Sequence, residues 1–182
     1  TFGRPMDQLK YDRVIKASQL SHDLEMLDHG DLTEIGERGI NLSGGQKARV
    51  SIARAAYADA DVVILDDPLS ALDPEVGKKL FDECIVDLMK GKTRLFVTNQ
   101  LQFLRQCDSI VALGKSKVLE QGTYDDLTSN EGSEITRLLR DTVIKSSVTR
   151  KEPNAVETIG ESREGADKNT ETVSTSGPVA TK

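Results

Sequence analysis

The chain has 182 residues, room for one folded body plus a tail, and carries 24 Lys and Arg against 30 Asp and Glu, a net charge of −6. Hydrophobic residues make up 37% and charged residues 30%, the mix of a water-soluble protein, and no run approaches the roughly 18 to 20 apolar residues of a membrane span. The acidic balance argues against a nucleic-acid partner, and two isolated thiols, Cys84 and Cys107, offer neither a disulfide framework nor a Cys/His zinc site.

Residues 1–28 open with Gly3-Arg4-Pro5 and continue into a predicted helix in which Tyr11, Val14 and Ile15 share a face, then a short second helix through Leu24 and Leu27. His22 and His29 have no second ligand at metal spacing and are expected on the surface. From Gly30 to Gly45 loop-forming residues recur at Gly36, Gly39, Asn41 and Gly44, and the segment opens into a helix at Gln46 whose Val50, Ala53 and Tyr57 lie on one face. Val62-Val63-Ile64-Leu65 is uniformly apolar, the pattern of a parallel strand covered on both faces, and it ends abruptly in Asp66-Asp67.

Asp73-Pro74 supplies an N-cap and a first-turn proline for a helix whose Val76, Leu80, Phe81, Ile85, Leu88 and Met89 recur at helical spacing, and Gly91 stops it. A second buried strand, Leu95–Thr98, a short helix, Leu101–Arg105, and a strand pair, Ser109–Leu113 and Lys117–Gln121, follow. The alternation predicts an α/β fold with a parallel sheet. A last amphipathic helix carries Ile135, Leu138, Leu139 and Val143. After Lys145 the chain is rich in Ser, Thr, Glu, Lys and Gly, so residues 146–182 are expected to be disordered.

Two short strings carry chemistry. In Leu42-Ser43-Gly44-Gly45-Gln46, two glycines at a helix start expose backbone N–H groups at the positive end of the helix dipole, so an anion is expected there. The same Ser43 and Gln46 also have the spacing of an ordinary capping box. The apolar strand ending in Asp66 and Asp67 puts carboxylates where open α/β sheets bind ligands, and one of them is suited to orient Mg²⁺ on nucleotide phosphates. The plainer alternative is an aspartate closing the turn before Pro68.

Order and spacing decide between these readings. Ser43–Gln46, then Arg49 and Arg54, then Ile64-Leu65-Asp66-Asp67-Pro68, then Ser70-Ala71-Leu72-Asp73, resemble in turn the signature motif, Walker B strand and D-loop of the ABC ATPase family. The likeness extends to Gly36-Glu37-Arg38-Gly39-Ile40-Asn41 and to Glu120-Gln121-Gly122-Thr123, covering about residues 1–130. Asp67–Asp73, with Leu24-Glu25-Met26-Leu27, Gly30 and Glu34-Ile35-Gly36, is similar to the first nucleotide-binding domain of the C subfamily, the multidrug-resistance-associated exporters.

The resemblance implies the later part of a P-loop NTPase domain, residues 1–145, with a helical signature subdomain over about 1–58 and the Walker B and switch part over about 59–145. It implies ATP and Mg²⁺ as cofactors, Asp66 as the Mg²⁺ ligand, and Ser70 and Asp73 as D-loop residues. Ser43, Gly44, Gly45 and Gln46 would touch ATP held by a second nucleotide-binding domain packed head to tail. Hydrolysis would drive transport through transmembrane domains, with this domain on the cytoplasmic side of the membrane.

Two departures bear on catalysis: Asp67 stands where fully active cassettes have Glu, and Asn99 where they have the switch histidine. The P-loop pattern G-x-x-x-x-G-K-[ST] is absent, because Gly91-Lys92-Thr93 and Gly114-Lys115-Ser116 match only its end and are expected at a helix end and a hairpin turn. The isolated polypeptide is therefore expected to be inactive. The alternatives are a truncated non-catalytic remnant or a soluble ABC ATPase outside transport.

Overall fold

The computed structural model describes residue 1, residues 3–36 and residues 41–149, with side chains described as far as Thr142. The chain divides into two units, residues 1–141 and 142–182. Of the second, the described part is the last turns of a helix ending at Thr149.

In the first unit α1, α3 and α4 each start where a side chain satisfies one of the first N–H groups. Asp7 accepts from Lys10 N and opens α1 (Gln8–Ala17). The short α2 (Ser21–Glu25) follows, ending before Leu27, and Gly30–Leu32 is a single 3₁₀ turn. Helix α3 (Gly44–Ala58) begins at Ser43 and ends where Asp59 turns left-handed at φ 57°. Val14 and Leu20 pack on Ala53 and Tyr57. The Tyr57 hydroxyl donates to Pro5 O at 2.8 Å and accepts from Asp7 N at 2.9 Å, pinning the start of the chain to α3.

Strands β1 (Val62–Asp66) and β2 (Thr93–Val97) pair in parallel, with Ile64 beside Leu95 and Asp66 beside Val97. They are joined through α4 (Pro74–Leu80), which continues as a π-helix over Phe81–Leu88. The predicted single helix is thus wound in two ways, and Met89 N reaches back five residues to Cys84 O at 3.1 Å. Val63 and Leu65 bury against Leu69, Leu80 and Phe81, and Phe81 stacks on Phe103 at 4.4 Å between ring centres. Arg94 also faces this layer: its Nη1 donates to Ile85 O and Val86 O at 2.7 and 3.0 Å, closing the end of the π-helix.

The opposite face of this sheet corrects the expectation of strands buried on both sides. Val62, Ile64, Leu95 and Val97 are 58%, 68%, 56% and 48% exposed. A strand's two faces are covered by different layers, and the described residues supply only the layer over Val63 and Leu65.

The segment Leu101–Gln106 is 3₁₀ rather than α. Strands β3 (Ile110–Gly114) and β4 (Lys117–Gly122) form an antiparallel hairpin. Its two turn residues, Lys115 and Ser116, are both left-handed at φ 48° and 59°, the geometry that matches strand twist in a two-residue turn. A short α5 (Tyr124–Ser129), absent from the sequence expectation, is opened by a Thr123–Asp126 capping box. Helix α6 (Glu134–Thr149) places Ile135 against Ile110 and Leu127. It runs through 146–149, which were expected to be disordered. Residues 150–182 and the side chain of Val143 lie outside the described part.

Candidate functional site

At the start of α3 the capping box foreseen from Ser43 and Gln46 is formed in both directions. Ser43 Oγ accepts from Gln46 N at 3.2 Å, and Gln46 Oε1 accepts from Ser43 N at 2.9 Å. Lys47 N is taken by Ser43 O at 3.0 Å. Gly44 and Gly45 are the first two helical residues, so their N–H groups have no intrahelical acceptor. The capping box therefore leaves these two donors open.

Gly45 is a glycine for a packing reason. A Cβ there would lie 3.1 Å from Ala71 O and 3.3 Å from Leu72 Cδ2, and one on Gly44 would lie 3.7 Å from Ala71 Cβ. The fold therefore sets the Ser43–Gln46 turn directly on the Ser70–Asp73 loop. Leu69, 1% exposed, anchors that loop in the core, and Asp73 closes it by accepting from Val76 N at 3.0 Å.

The loop continues back to the carboxylates. Asp66 ends β1 on the same side as Ile64 and is exposed. Asp67 is half-buried with φ 44°, a left-handed conformation that aspartate tolerates better than most residues. Its N donates to Val97 O at 2.9 Å and its O accepts from Ser70 Oγ at 2.9 Å. Asn99 is exposed, just past the end of β2, where Thr98 Oγ1 accepts from Gln100 N at 3.0 Å. Asp66, Asp67 and Asn99 thus share the carboxyl end of two adjacent parallel strands, and Ser70 ties this end to the turn under Gly45.

The two partial P-loop matches lie elsewhere. Gly91, at φ 84°, turns the chain from the π-helix into β2. Lys92 Nζ sits 3.1 Å from Asp59 and 3.8 Å from Asp61 at the amino end of the strands, opposite Asp66. Lys115 and Ser116 form the β3–β4 turn. Both places are as the sequence suggests. His22 and His29 are exposed, as expected, and His22 lies 3.8 Å from Glu25. Cys84 is fully buried, and burial pushes its thiol up to about 12, which makes it unreactive.

One residue of this corner escaped the sequence reading. Asp23, in α2, receives Arg49 Nε at 2.9 Å, Arg49 Nη2 at 2.8 Å and Gln46 Nε2 at 3.2 Å. These contacts span 23 and 26 residues of sequence, so no local pattern signals them.

Parallel strands ending in two carboxylates, with a glycine turn set on the loop that follows, belong to an α/β protein. The model of the ABC transporter family matches residues 5–70. ATP-binding cassette sub-family C member 2 of Mus musculus is 57% identical over 133 residues, 72% of this chain and 9% of that protein. ABC transporter C family member 2 of Dictyostelium discoideum is 58% identical over 126 residues, 69% of this chain and 9% of that protein. ABC transporter C family member 5 of Arabidopsis thaliana is 52% identical over 126 residues, with 69% and 8% covered. The chain belongs to the ABC transporter family, as a subfamily C type of nucleotide-binding domain segment. It spans about a tenth of the length of the curated relatives it matches.

Proposed function

We propose that this segment works within an ATP-hydrolysing module that powers export across a membrane, contributing the signature turn, Walker B strand and D-loop. The observation that carries this reading is the close approach of Gly45 to Ala71 O, which leaves no room for a Cβ, together with the Ser70–Asp67 hydrogen bond. Through them a turn with open N–H donors and a strand end with open carboxylates share one corner.

The donor set fits the cofactors in part. Gly44 and Gly45 N–H groups and the Ser43 hydroxyl suit phosphate oxygens, and Asp66 suits Mg²⁺, whose remaining ligands in such sites are phosphates and water. Among the described residues there is no cluster of three metal-binding side chains. ATP supplies the phosphoanhydride bond and Mg²⁺ offsets the charge that builds on it. This chain's residues hold, orient and poise. Ser43–Gln46 face ATP carried by a second nucleotide-binding domain packed head to tail, and Ser70 and Asp73 lie along the same contact.

The bare face of β1 and β2 is the seat of the P-loop-bearing part of the cassette. Asp66 stands at its edge, where that part would bring the phosphates. The helical subdomain comprises about residues 1–58 and the Walker B part about 59–145. The domain sits on the cytoplasmic side, held to the membrane by transmembrane domains of the same transporter. Among the described residues no helix is long and apolar enough to cross a membrane, and nucleic acid is not a partner.

The nucleotide site that uses Asp66 is hydrolytically weak. Asp67 is one methylene short of the Glu that polarises water in active cassettes, and Asn99 cannot carry an imidazole's charge. In the full-length transporter, Asp67→Glu combined with Asn99→His should raise ATP turnover. Unchanged turnover rules the weak-site reading out. By itself the 182-residue chain should show no ATPase. The readings as a remnant or as a soluble non-transport ATPase have no observation that favours them.

A further inference from the structure

Nothing in the mechanism above uses Asp23, yet it is the most heavily engaged carboxylate of the signature corner. It accepts from two nitrogens of Arg49 at 2.9 and 2.8 Å and from Gln46 Nε2 at 3.2 Å. The Arg49 and Asp23 side chains are only 13% and 15% exposed, so water competes weakly for these bonds.

A carboxylate can only accept, whereas a glutamine amide has one donating and one accepting end. Asp23 therefore dictates that Gln46 Nε2 turns toward it. The amide's other end, Oε1, is then left facing Ser43 N, where it completes the capping box at 2.9 Å. Without Asp23 only the Ser43 N–H favours this orientation, since a flipped amide would set a donor against that N–H.

Gly45 packs the turn against Ala71 and Leu72, and the polar network adds the orientation of the Gln46 amide, beside a cavity of about 60 Å³ lined by Leu24, Leu27, Ile35, Leu42 and Val50.

We propose that Asp23 is a positioning residue for the Ser43–Gln46 turn, fixing the direction of its phosphate-facing donors through Gln46 and Arg49, and so setting the affinity for the ATP that the turn meets. This rests on the reading of that turn as ATP-facing. Asp23 itself touches no nucleotide. Losing it loosens the turn in the ground and transition states alike, which raises KM and spares kcat.

The test uses the purified full-length transporter, with steady-state hydrolysis measured across ATP concentrations and thermal melts run in parallel. Asp23→Asn, nearly the same shape, puts an N–H donor among three donors and should raise KM for ATP about tenfold, with kcat within about twofold. Asp23→Glu keeps an acceptor-only group and should hold KM within about threefold of the original. An unchanged KM in a folded Asp23→Asn protein overturns the proposal. So does an equal loss of kcat and melting temperature in both variants at constant KM, which is what a purely structural role would give. Gly44→Asp serves as the control for the underlying reading: if it leaves turnover intact, the turn does not face ATP, and both the reading and the proposal fall together.

Discussion

The corner around Ser43 and the sheet face around Ile64 are finished to very different degrees. In the corner each polar side chain that is drawn inward meets a partner: Ser43 with Gln46, Gln46 with Asp23, and Asp23 with Arg49. Among the described residues no buried side-chain nitrogen or oxygen lacks one. The sheet face is the reverse, with Ile64 and Leu95 side by side in the ladder and both more than half exposed. Each of these bonds needs only one partner group, local or 23 to 26 residues away on a neighbouring helix, so a segment can complete them alone. Burying a sheet's second face takes a whole further layer. The corner is thus complete within the described residues and the face is uncovered by them, which is why the proposed P-loop layer is assigned to the face.

Substitutions on the two sides of β1 probe this contrast most strongly. Leu80, with no exposed surface beneath the covered side, should cost about 3 kcal/mol on Leu80→Ala, read from urea unfolding of the chain. On the bare side, Ile64→Thr with Leu95→Thr keeps β-branched or strand-compatible side chains and should change stability by no more than about 0.5 kcal/mol. It should also reduce concentration-dependent light scattering, because fewer apolar groups face water. A loss for the pair as large as that for Leu80 would mean that the face is covered and the contrast false. A small loss in the isolated chain that becomes large in a complete cassette would sharpen it, by showing the face filled only there.

Much of this was legible because it is local. The starts of α3 and α4 follow from Ser43 and Asp73, each accepting from an N–H three residues on, and Asp7 caps α1 in the same way though the sequence reading did not single it out. The motif strings at Ser43–Gln46, Asp66-Asp67 and Ser70–Asp73 are contiguous, so their order survives without a structure. What could not be read depends on distance or on neighbours. Val62-Val63-Ile64-Leu65 has the same composition whether one face or both are covered. The Asp23 network joins residues at least 23 apart. The π winding after Leu80 and the left-handed Asp67 reflect packing and turn closure rather than periodicity. Helix α5 was readable in principle, since Thr123 and Asp126 carry the spacing of a capping box, but its 6 residues are too short to show a repeat.

The smallest of these effects tests whether the corner's rule of matched polar groups extends to the far end of the chain. Glu120 on β4 accepts from Ser133 Oγ at 2.7 Å and from Glu134 N at 2.6 Å, so a strand carboxylate caps α6 from outside the helix. The backbone N–H of Glu134, then the Ser133 hydroxyl, hold its carboxyl below the ordinary 4.5. Because the folded value is the lower one, the ionised cap stabilises fully above the unfolded value and loses its contribution as pH falls through the folded value. Glu120→Gln should therefore lower the melting temperature modestly at neutral pH, and the gap between the two proteins should shrink steadily below about pH 4.5. Circular dichroism melts across that range decide it. A gap that persists unchanged into strong acid would mean that the ionised carboxylate contributes nothing to the cap, and that the matching seen around Ser43 does not extend to α6.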